Sequence, residues 1–180
     1  SRGLGDVYKR QVTDLEELRA AIAFHTEKAA AKLRRQGQVA GRLTVFARSS
    51  PFRDADGFYS RSACDTLDRP TADTGRLLHL ARRLTQEVFQ PGVEFRKAGV
   101  LMQELTRGTQ QQLGLWHADA RPERTELMAL VDRLNRQYGP GTLRFAAAGL
   151  GTGTWRMRRQ HRSDSFLTDW QRLPQVGATT

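Results

Sequence analysis

The sequence lacks several features that would place it in a class at once. Its 180 residues include one cysteine, which excludes a disulfide framework and a cysteine-based zinc site within the chain. It has no run of about 18 apolar residues, so no membrane-spanning segment is predicted. It also opens on no signal-peptide pattern. We therefore expect a cytoplasmic protein with a buried hydrophobic core.

Acidic residues are scarce relative to basic ones, with 19 Asp and Glu against 29 Lys and Arg and a net charge of +10. Most of the basic residues are arginines, which suit bidentate phosphate contacts, although a GC-rich source genome would produce the same bias. The excess is spread along the chain, which indicates a polyanionic partner, nucleic acid first and anionic membrane second. No amphipathic helix with large apolar residues opposite a Lys/Arg face supports the membrane alternative.

Residues 1–11, SRGLGDVYKRQ, differ in character from the rest of the chain. They combine two glycines and mixed charges with no hydrophobic period. We interpret them as a non-native leader, a translated adapter remnant, with an ordinary chain terminus as the alternative. On this interpretation the native sequence begins near Val12 and is the end of a longer reading frame.

Hydrophobic periodicity from residue 12 to residue 106 predicts a small α+β domain. The predicted elements are a helix from Thr13-Asp14 to Gly37, strands over Val39–Ser50 and Phe58–Leu67, a helix capped by Thr71 or Asp73 and ending at Pro91-Gly92, and a strand over Glu94–Leu105. This order places two helices on one face of an antiparallel sheet of three to four strands. The fourth strand would fall in residues 1–11.

A polar linker rich in Gln and Gly follows at residues 107–121, and a small α+β C-terminal domain is predicted over residues 122–176. The linker holds one apolar island, Gln112-Leu113-Gly114-Leu115-Trp116. The C-terminal domain opens on a helix from Pro122 to Gly139, followed by a short candidate strand over Thr142–Ala147. The apolar face predicted for this helix consists of Leu127, Leu130, Val131, Leu134 and Tyr138.

Short motifs occur along the chain in an order that one family shares. The matching motifs are Ser49-Ser50-Pro51-Phe52, Pro70-Thr71, Lys97-Ala98-Gly99-Val100, the island Gln112–Trp116, Trp155-x-Met157-x-Arg159, and Trp170-x-x-Leu173-Pro174. In these motifs the chain resembles the C-terminal part of the UmuC-type Y-family translesion DNA polymerases, whose clamp-binding pentapeptide the island resembles. Residues 162–168 depart from the family's Leu-Ser-Pro-Arg-Tyr-Thr-Thr stretch, which they match only at Ser163 and Thr168.

The resemblance implies three parts: a little-finger DNA-binding domain over residues 12–106, a linker with a clamp-binding motif, and the C-terminal domain. A little finger lays its sheet along the primer–template duplex, so the sheet face away from the helices is expected to bind phosphates. The candidate DNA-binding residues are Arg42, Thr44, Arg48, Ser50, Arg61, Lys97 and Gly99. Gly99 is expected to let backbone amides approach a phosphate. Phe46 shares this nominal face, which would fit a bulge in the alternation.

The candidate clamp-binding residues are Gln112, Leu113, Leu115 and Trp116. A peptide with a few apolar anchors of this kind can dock in a preformed hydrophobic pocket, where those anchors carry most of the binding energy. The alternative is that the island folds back onto its own domain. The resemblance implies a β sliding clamp, a UmuD′-like subunit and a RecA filament as partners, without assigning residues to the last two.

No residue pattern in the chain predicts catalysis. In the family, the carboxylates that hold Mg²⁺ sit in a palm domain that precedes this segment, and nothing here replaces them. The four histidines are scattered, and residues 149–153 lack the context of a phosphate-binding loop. We expect no catalytic residue, metal or cofactor in this chain, and a DNA-directed DNA polymerase as its parent. The alternative is a non-polymerase nucleic-acid-binding adaptor with an α+β fold.

Overall fold

Three α-helices and three β-strands are present in the part of the chain that the computed structural model describes, which is residues 12–50, 58–108 and 124–149. In chain order they are α1 (Leu15–Arg35), β1 (Gln38–Arg48), β2 (Ser60–Thr71), α2 (Thr74–Val88), β3 (Lys97–Arg107) and α3 (Thr125–Gln137), followed by a 3-10 turn at Ala146–Ala148. The predicted α+β class is confirmed. None of these helices is long and apolar enough to cross a membrane.

The two helices of the first domain begin at aspartate caps. The Asp14 carboxylate accepts hydrogen bonds from the backbone N–H groups of Glu16 and Glu17, at 2.9 and 3.2 Å. Asp73 caps α2 by accepting the N–H of Arg76 at 3.1 Å. The Thr71 hydroxyl instead accepts the N–H of Asp73 at 3.0 Å, which settles the cap between the two residues that the sequence offered.

The sheet is antiparallel, with strand order β2-β1-β3 and α1 and α2 packed on one face. We call this the helix face. Along β1, Leu43, Val45 and Ala47 are buried on it. They join Leu18 and Ile22 of α1, Leu80, Leu84 and Val88 of α2, and Phe95 in one core cluster. Because β1 is the central strand, the alternation of its buried and exposed side chains shows which side of the sheet is not covered by the helices.

The strands extend farther than predicted at one end, where the β1–β2 register shifts. Ala40 pairs with Thr71 but Arg42 pairs with Thr66, so β2 holds extra residues there and continues past Pro70. On the other side of β1, a Cβ on Gly41 would lie 3.1 Å from Oε2 and 3.2 Å from Cβ of Glu104. Glu104 has a φ of 53°. Both neighbours of β1 are therefore irregular at the same level of the sheet.

The segment before α1 touches the segment before β3. Val12 and Phe95 exchange two backbone hydrogen bonds of 3.2 and 2.9 Å, an isolated antiparallel bridge. The predicted fourth strand falls in residues 1–11, which lie outside the described residues, and their interpretation as a leader stays a prediction.

Helix α3 packs through a different side from the one predicted. Met128 is buried and Asp132 is bound to Arg34, whereas Leu127 is 45% exposed and Tyr138 is 65% exposed. Residues four apart share a helix face, so docking through Met128 and Asp132 turns most of the predicted apolar set away from α1. The predicted face was wrong for Leu127, Leu130 and Tyr138, which are exposed, because α3 docks through Met128 and the Asp132–Arg34 ion pair instead.

The strand predicted over Thr142–Ala147 is wrong as well. The backbone N–H and carbonyl of Leu143 bond to the side-chain amide of Asn135, at 2.9 and 3.0 Å, where a strand neighbour would otherwise pair. The chain then forms the 3-10 turn, whose Ala148 packs with Ala23 and Leu78.

Candidate nucleic-acid interface

The sheet side opposite the helix face is defined by the strand register, and we call it the open face. It consists of Arg42, Thr44, Phe46 and Arg48 of β1, Thr66, Cys64, Ser62 and Ser60 of β2, and Gln103, Leu101, Gly99 and Lys97 of β3. Most of these residues are exposed. The twelve include three cations and no carboxylate, which makes the surface electropositive.

Five of the seven residues predicted to bind DNA lie on this face: Arg42, Thr44, Arg48, Lys97 and Gly99. Arg48 and Lys97 are directly paired across β1 and β3, and both side chains are exposed. Exposed Arg96 lies next to them and donates its backbone N–H to the Arg48 carbonyl at 2.9 Å. This end of the open face therefore concentrates positive charge.

At the opposite end of the open face, Arg42 and Thr44 are already bound by neighbouring side chains. Nη2 of Arg42 lies 3.0 Å from Oε1 of Glu104. The Thr44 hydroxyl donates to Oε1 of Gln103 at 2.6 Å. Counting only ion pairs within the described residues, Arg48 and Lys97 have no carboxylate partner, whereas Arg42 is paired to Glu104.

Gly99 lies on the open face, but it is buried there. It is buried because the ring of Phe46 lies over it, and a Cβ there would come within 2.8 Å of the Phe46 Cζ atom. The expected approach of backbone amides to a phosphate is thus blocked by the ring. Phe46 remains on the open face, so the alternation along this part of β1 has no slip. Its ring also receives the Arg48 guanidinium, with 5.7 Å between the Cζ atom and the ring centroid.

Two other predicted residues are not on the open face. Ser50 lies past the end of β1 and is 6% exposed. Arg61 pairs with Ala47, whose side chain is buried on the helix face, so Arg61 lies on that side of the sheet. A change of one residue in register moves a strand residue to the other face, and the sequence of β2 alone did not define its register.

Sequence reasoning missed the polar row contributed by β2. Ser60, Ser62 and Thr66 lie on the open face with Cys64 between them, and all four are exposed. Hydroxyl groups bind phosphate oxygens without reading base identity. The alternation of small polar residues through residues 60–66 was the signal that could have found them.

An acidic residue of β2 is directed away from the open face. Asp65 pairs with Leu43 and lies on the helix face. The Thr66 N–H, followed by the side chain of Arg83, lowers the pKa of this carboxyl group. Its charge is therefore paired with Arg83 of α2 on the helix side of the sheet.

The clamp-binding candidates Gln112, Leu113, Leu115 and Trp116 lie outside the described residues. On one side of them β3 ends at Arg107, and the Gly108 N–H bonds to the Gly37 carbonyl at 3.0 Å. On the other side α3 begins at Thr125. Within residues 12–50, 58–108 and 124–149, no group of three or more His, Cys, Asp or Glu residues is arranged to hold a metal ion.

Comparison with known proteins assigns the chain to a family. Residues 1–115 match the impB/mucB/samB family C-terminal domain, and residues 125–176 match a domain of unknown function, DUF4113. The chain is 33% identical to Protein UmuC of Salmonella typhimurium over 177 residues, which is 98% of this chain and 41% of that protein. It is 33% identical to Protein ImpB of Salmonella typhimurium over 175 residues, 97% of this chain and 40% of that protein.

Protein MucB of Escherichia coli is 30% identical over 168 residues, 93% of this chain and 39% of that protein. The chain thus spans about 40% of the length of the curated relatives it matches. With a domain model that covers more than half of its residues, the chain belongs to the impB/mucB/samB family.

Proposed function

We propose that this chain is the DNA-binding and sliding-clamp-tethering C-terminal region of an error-prone translesion DNA polymerase that acts in DNA repair and SOS mutagenesis. The observation that carries the proposal is the open face, an exposed sheet surface on which Arg48 and Lys97 lie directly opposite each other. It belongs to the domain for which the family match was found. Arg48 and Lys97 are the residues we assign to the first phosphate contacts.

Binding on this face is sequence-independent in the proposal. Cations and hydroxyls contact phosphates, which position a protein on the duplex but carry no base information. A polymerase that must extend past damaged bases benefits from a grip that does not depend on the identity of the base. The Phe46 ring packs on Gly99 and forms a cation–π contact with the Arg48 guanidinium.

Tethering to the clamp is assigned to Gln112, Leu113, Leu115 and Trp116. Two leucines and an aromatic residue within four positions supply apolar anchors, and the glutamine supplies a polar contact. The resemblance implies a UmuD′-like subunit and a RecA filament as partners. We propose the cytoplasm as the site of action. The Mg²⁺ ions of nucleotide transfer are assigned to a palm domain of the parent polymerase, and no cofactor is assigned to this chain.

The test is a measurement of duplex affinity with the full chain. A fluorescein-labelled primer–template duplex is titrated by fluorescence anisotropy with the wild type and with Arg48→Ala/Lys97→Ala. Removing two phosphate contacts should weaken binding at least tenfold, and the dependence of log K on log salt should flatten by about 1.8. The matched control, Arg61→Ala/Arg82→Ala, removes two exposed cations that lie off the open face and should bind like the wild type. Equal affinity of the open-face variant and this control would overturn the proposal.

A further inference from the structure

A second basic surface lies on the helix side of the sheet, between α1 and α3. The two helices flank a groove of about 1730 Å³ that is open to solvent. Small-molecule sites have volumes of roughly 300–1,000 Å³, so this groove is large for such a ligand. Its size and openness suit a segment of an extended polymer.

Positive side chains dominate the lining of the groove. They are Lys28, Lys32, Arg34, Arg35, Arg133, Arg136 and Arg144. Three carboxylates also line it, and each is engaged by the protein. Asp132 binds Arg34, Glu27 accepts the Phe145 N–H at 2.6 Å, and Asp73 caps α2. The carboxylates therefore serve the fold, and the remaining charge of the groove is positive.

Cations line the groove from both of its sides. Lys28, Lys32 and Arg35 are spaced i, i+4, i+7 along α1, and all three are exposed. Arg133 and Arg136 are exposed on α3. Among the described residues, Lys32, Arg35, Arg133 and Arg136 form no ion pair with a carboxylate. Two rows of uncompensated charge thus border one channel.

The lining of the groove also includes apolar side chains. Ala31, Ala129, Val131 and Leu143 line it. Lys28 and Arg144 both stack on the ring of Phe24, at 4.2 and 5.1 Å from its centroid. The stacked cations are held in place, so less side-chain entropy is lost when they bind an anion. A ligand with regularly spaced negative charges and flat apolar groups fits this lining.

We propose that this groove binds single-stranded nucleic acid. A single strand has phosphates for the two cation rows and unpaired bases that can contact the apolar side chains, and a basic groove that tracks the backbone is one of the features that single-strand-binding proteins use. A double helix is a wide, rigid cylinder and fits the flat open face better than a channel flanked by two helices. An acidic peptide would satisfy the cations as well, but its acidic side chains offer no flat rings for the apolar part of the lining. The groove is independent of the open face, so either site can fail a test without the other.

The test measures both nucleic acids on the full chain by fluorescence anisotropy. The probes are a fluorescein-labelled oligo-dT of about 20 nucleotides, long enough for the 4–16 nucleotides that such folds cover, and a labelled duplex. In Lys32→Gln/Arg136→Gln, oligo-dT affinity should fall at least tenfold and the salt slope should flatten by about 1.4, with duplex affinity within twofold of the wild type. Arg61→Gln/Arg82→Gln, at two exposed cations outside both the groove and the open face, is the control with the same loss of charge and should leave both affinities unchanged.

Several results would overturn the proposal. One is a groove variant that binds oligo-dT like the control, and another is a duplex affinity that falls in parallel with the oligo-dT affinity. A third is a loss of affinity for a labelled polyglutamate peptide in the groove variant while its affinity for oligo-dT is unchanged, which would identify an acidic peptide site. A second measurement needs no substitution, because a bromouracil-substituted single strand is photo-crosslinked to the wild type. The crosslinked residues should lie in α1 and α3. Crosslinks confined to β1 and β3 would contradict binding in the groove.

Discussion

Arg34 and Asp132 form a bidentate ion pair between α1 and α3. Nε of Arg34 lies 2.7 Å from Oδ2 of Asp132, and Nη2 lies 2.7 Å from Oδ1. Nη1 donates to the Ala72 carbonyl at 2.8 Å and to the Thr74 hydroxyl at 2.7 Å. The two side chains are only 16% and 24% exposed. One guanidinium thus joins the end of α1, the start of α2, and α3.

Removing this guanidinium should release α3. In Arg34→Ala the Asp132 carboxylate loses its counter-charge in a mostly buried position, which costs about 3 kcal/mol. Amide hydrogen exchange within α3 should then become roughly 100-fold faster, while β1 keeps its protection. The neighbouring Arg35→Ala removes an exposed cation of the same type and should leave α3 protected. If α3 exchanges at the wild-type rate in Arg34→Ala, the ion pair does not hold the helix.

The contact between Phe46 and Gly99 gives a second prediction. A methyl group at position 99 would come within 2.8 Å of the ring, so Gly99→Ala must displace Phe46 and the Arg48 guanidinium stacked on it. We expect Gly99→Ala to lower the free energy of unfolding by about 1–2 kcal/mol, measured by urea denaturation.

The double variant separates this cause from a general effect on the strand. Without the clash, alanine stabilises a strand interior relative to glycine by about 0.5–1 kcal/mol. Gly99→Ala in a Phe46→Ala background should therefore be neutral or stabilising. If the Gly99→Ala single variant is as stable as the wild type, the position of the Phe46 ring does not require a glycine at residue 99.

A pair of leucines in neighbouring strands tests which face of the sheet is the core. Leu43 is 0% exposed on the helix face, and Leu101 is 52% exposed on the open face. Leu43→Ala should cost about 2–5 kcal/mol of unfolding free energy, because a cavity remains where the side chain was. Leu101→Ala should cost much less, because its side chain is already in water. Similar losses from the two variants would contradict the register that defines the open face.

The alternation of β1 shows what the sequence could predict. Buried Leu43, Val45 and Ala47 alternate with Arg42, Thr44 and Arg48 within a single strand, so the pattern alone separates the two faces. The aspartate caps and the glycine after α1, at a φ of 64°, are local signals of the same kind.

Features that depend on a distant partner were beyond the pattern. The face of Arg61 follows from the β1–β2 register, which its own strand does not encode. The rotation of α3 follows from Arg34, which lies 98 positions before Asp132. The role of Gly99 required knowing that Phe46 is its cross-strand partner. In each case the outcome depends on a residue or strand that is distant in the sequence, which the one-dimensional pattern does not contain.

The proposed clamp motif gives the last prediction. Leu113→Ala/Trp116→Ala removes two apolar anchors from the pentapeptide and should abolish binding to a bacterial β sliding clamp, as measured by surface plasmon resonance, because a few anchors carry most of the energy of such an interface. Affinity for the primer–template duplex should not change, since the open face is untouched. Gln110→Ala/Gln111→Ala is the matched control in the same linker, just outside the pentapeptide, and should bind the clamp like the wild type. Unchanged clamp affinity in Leu113→Ala/Trp116→Ala would refute the motif, and loss of duplex binding in that variant would indicate that the island instead packs on its own domain.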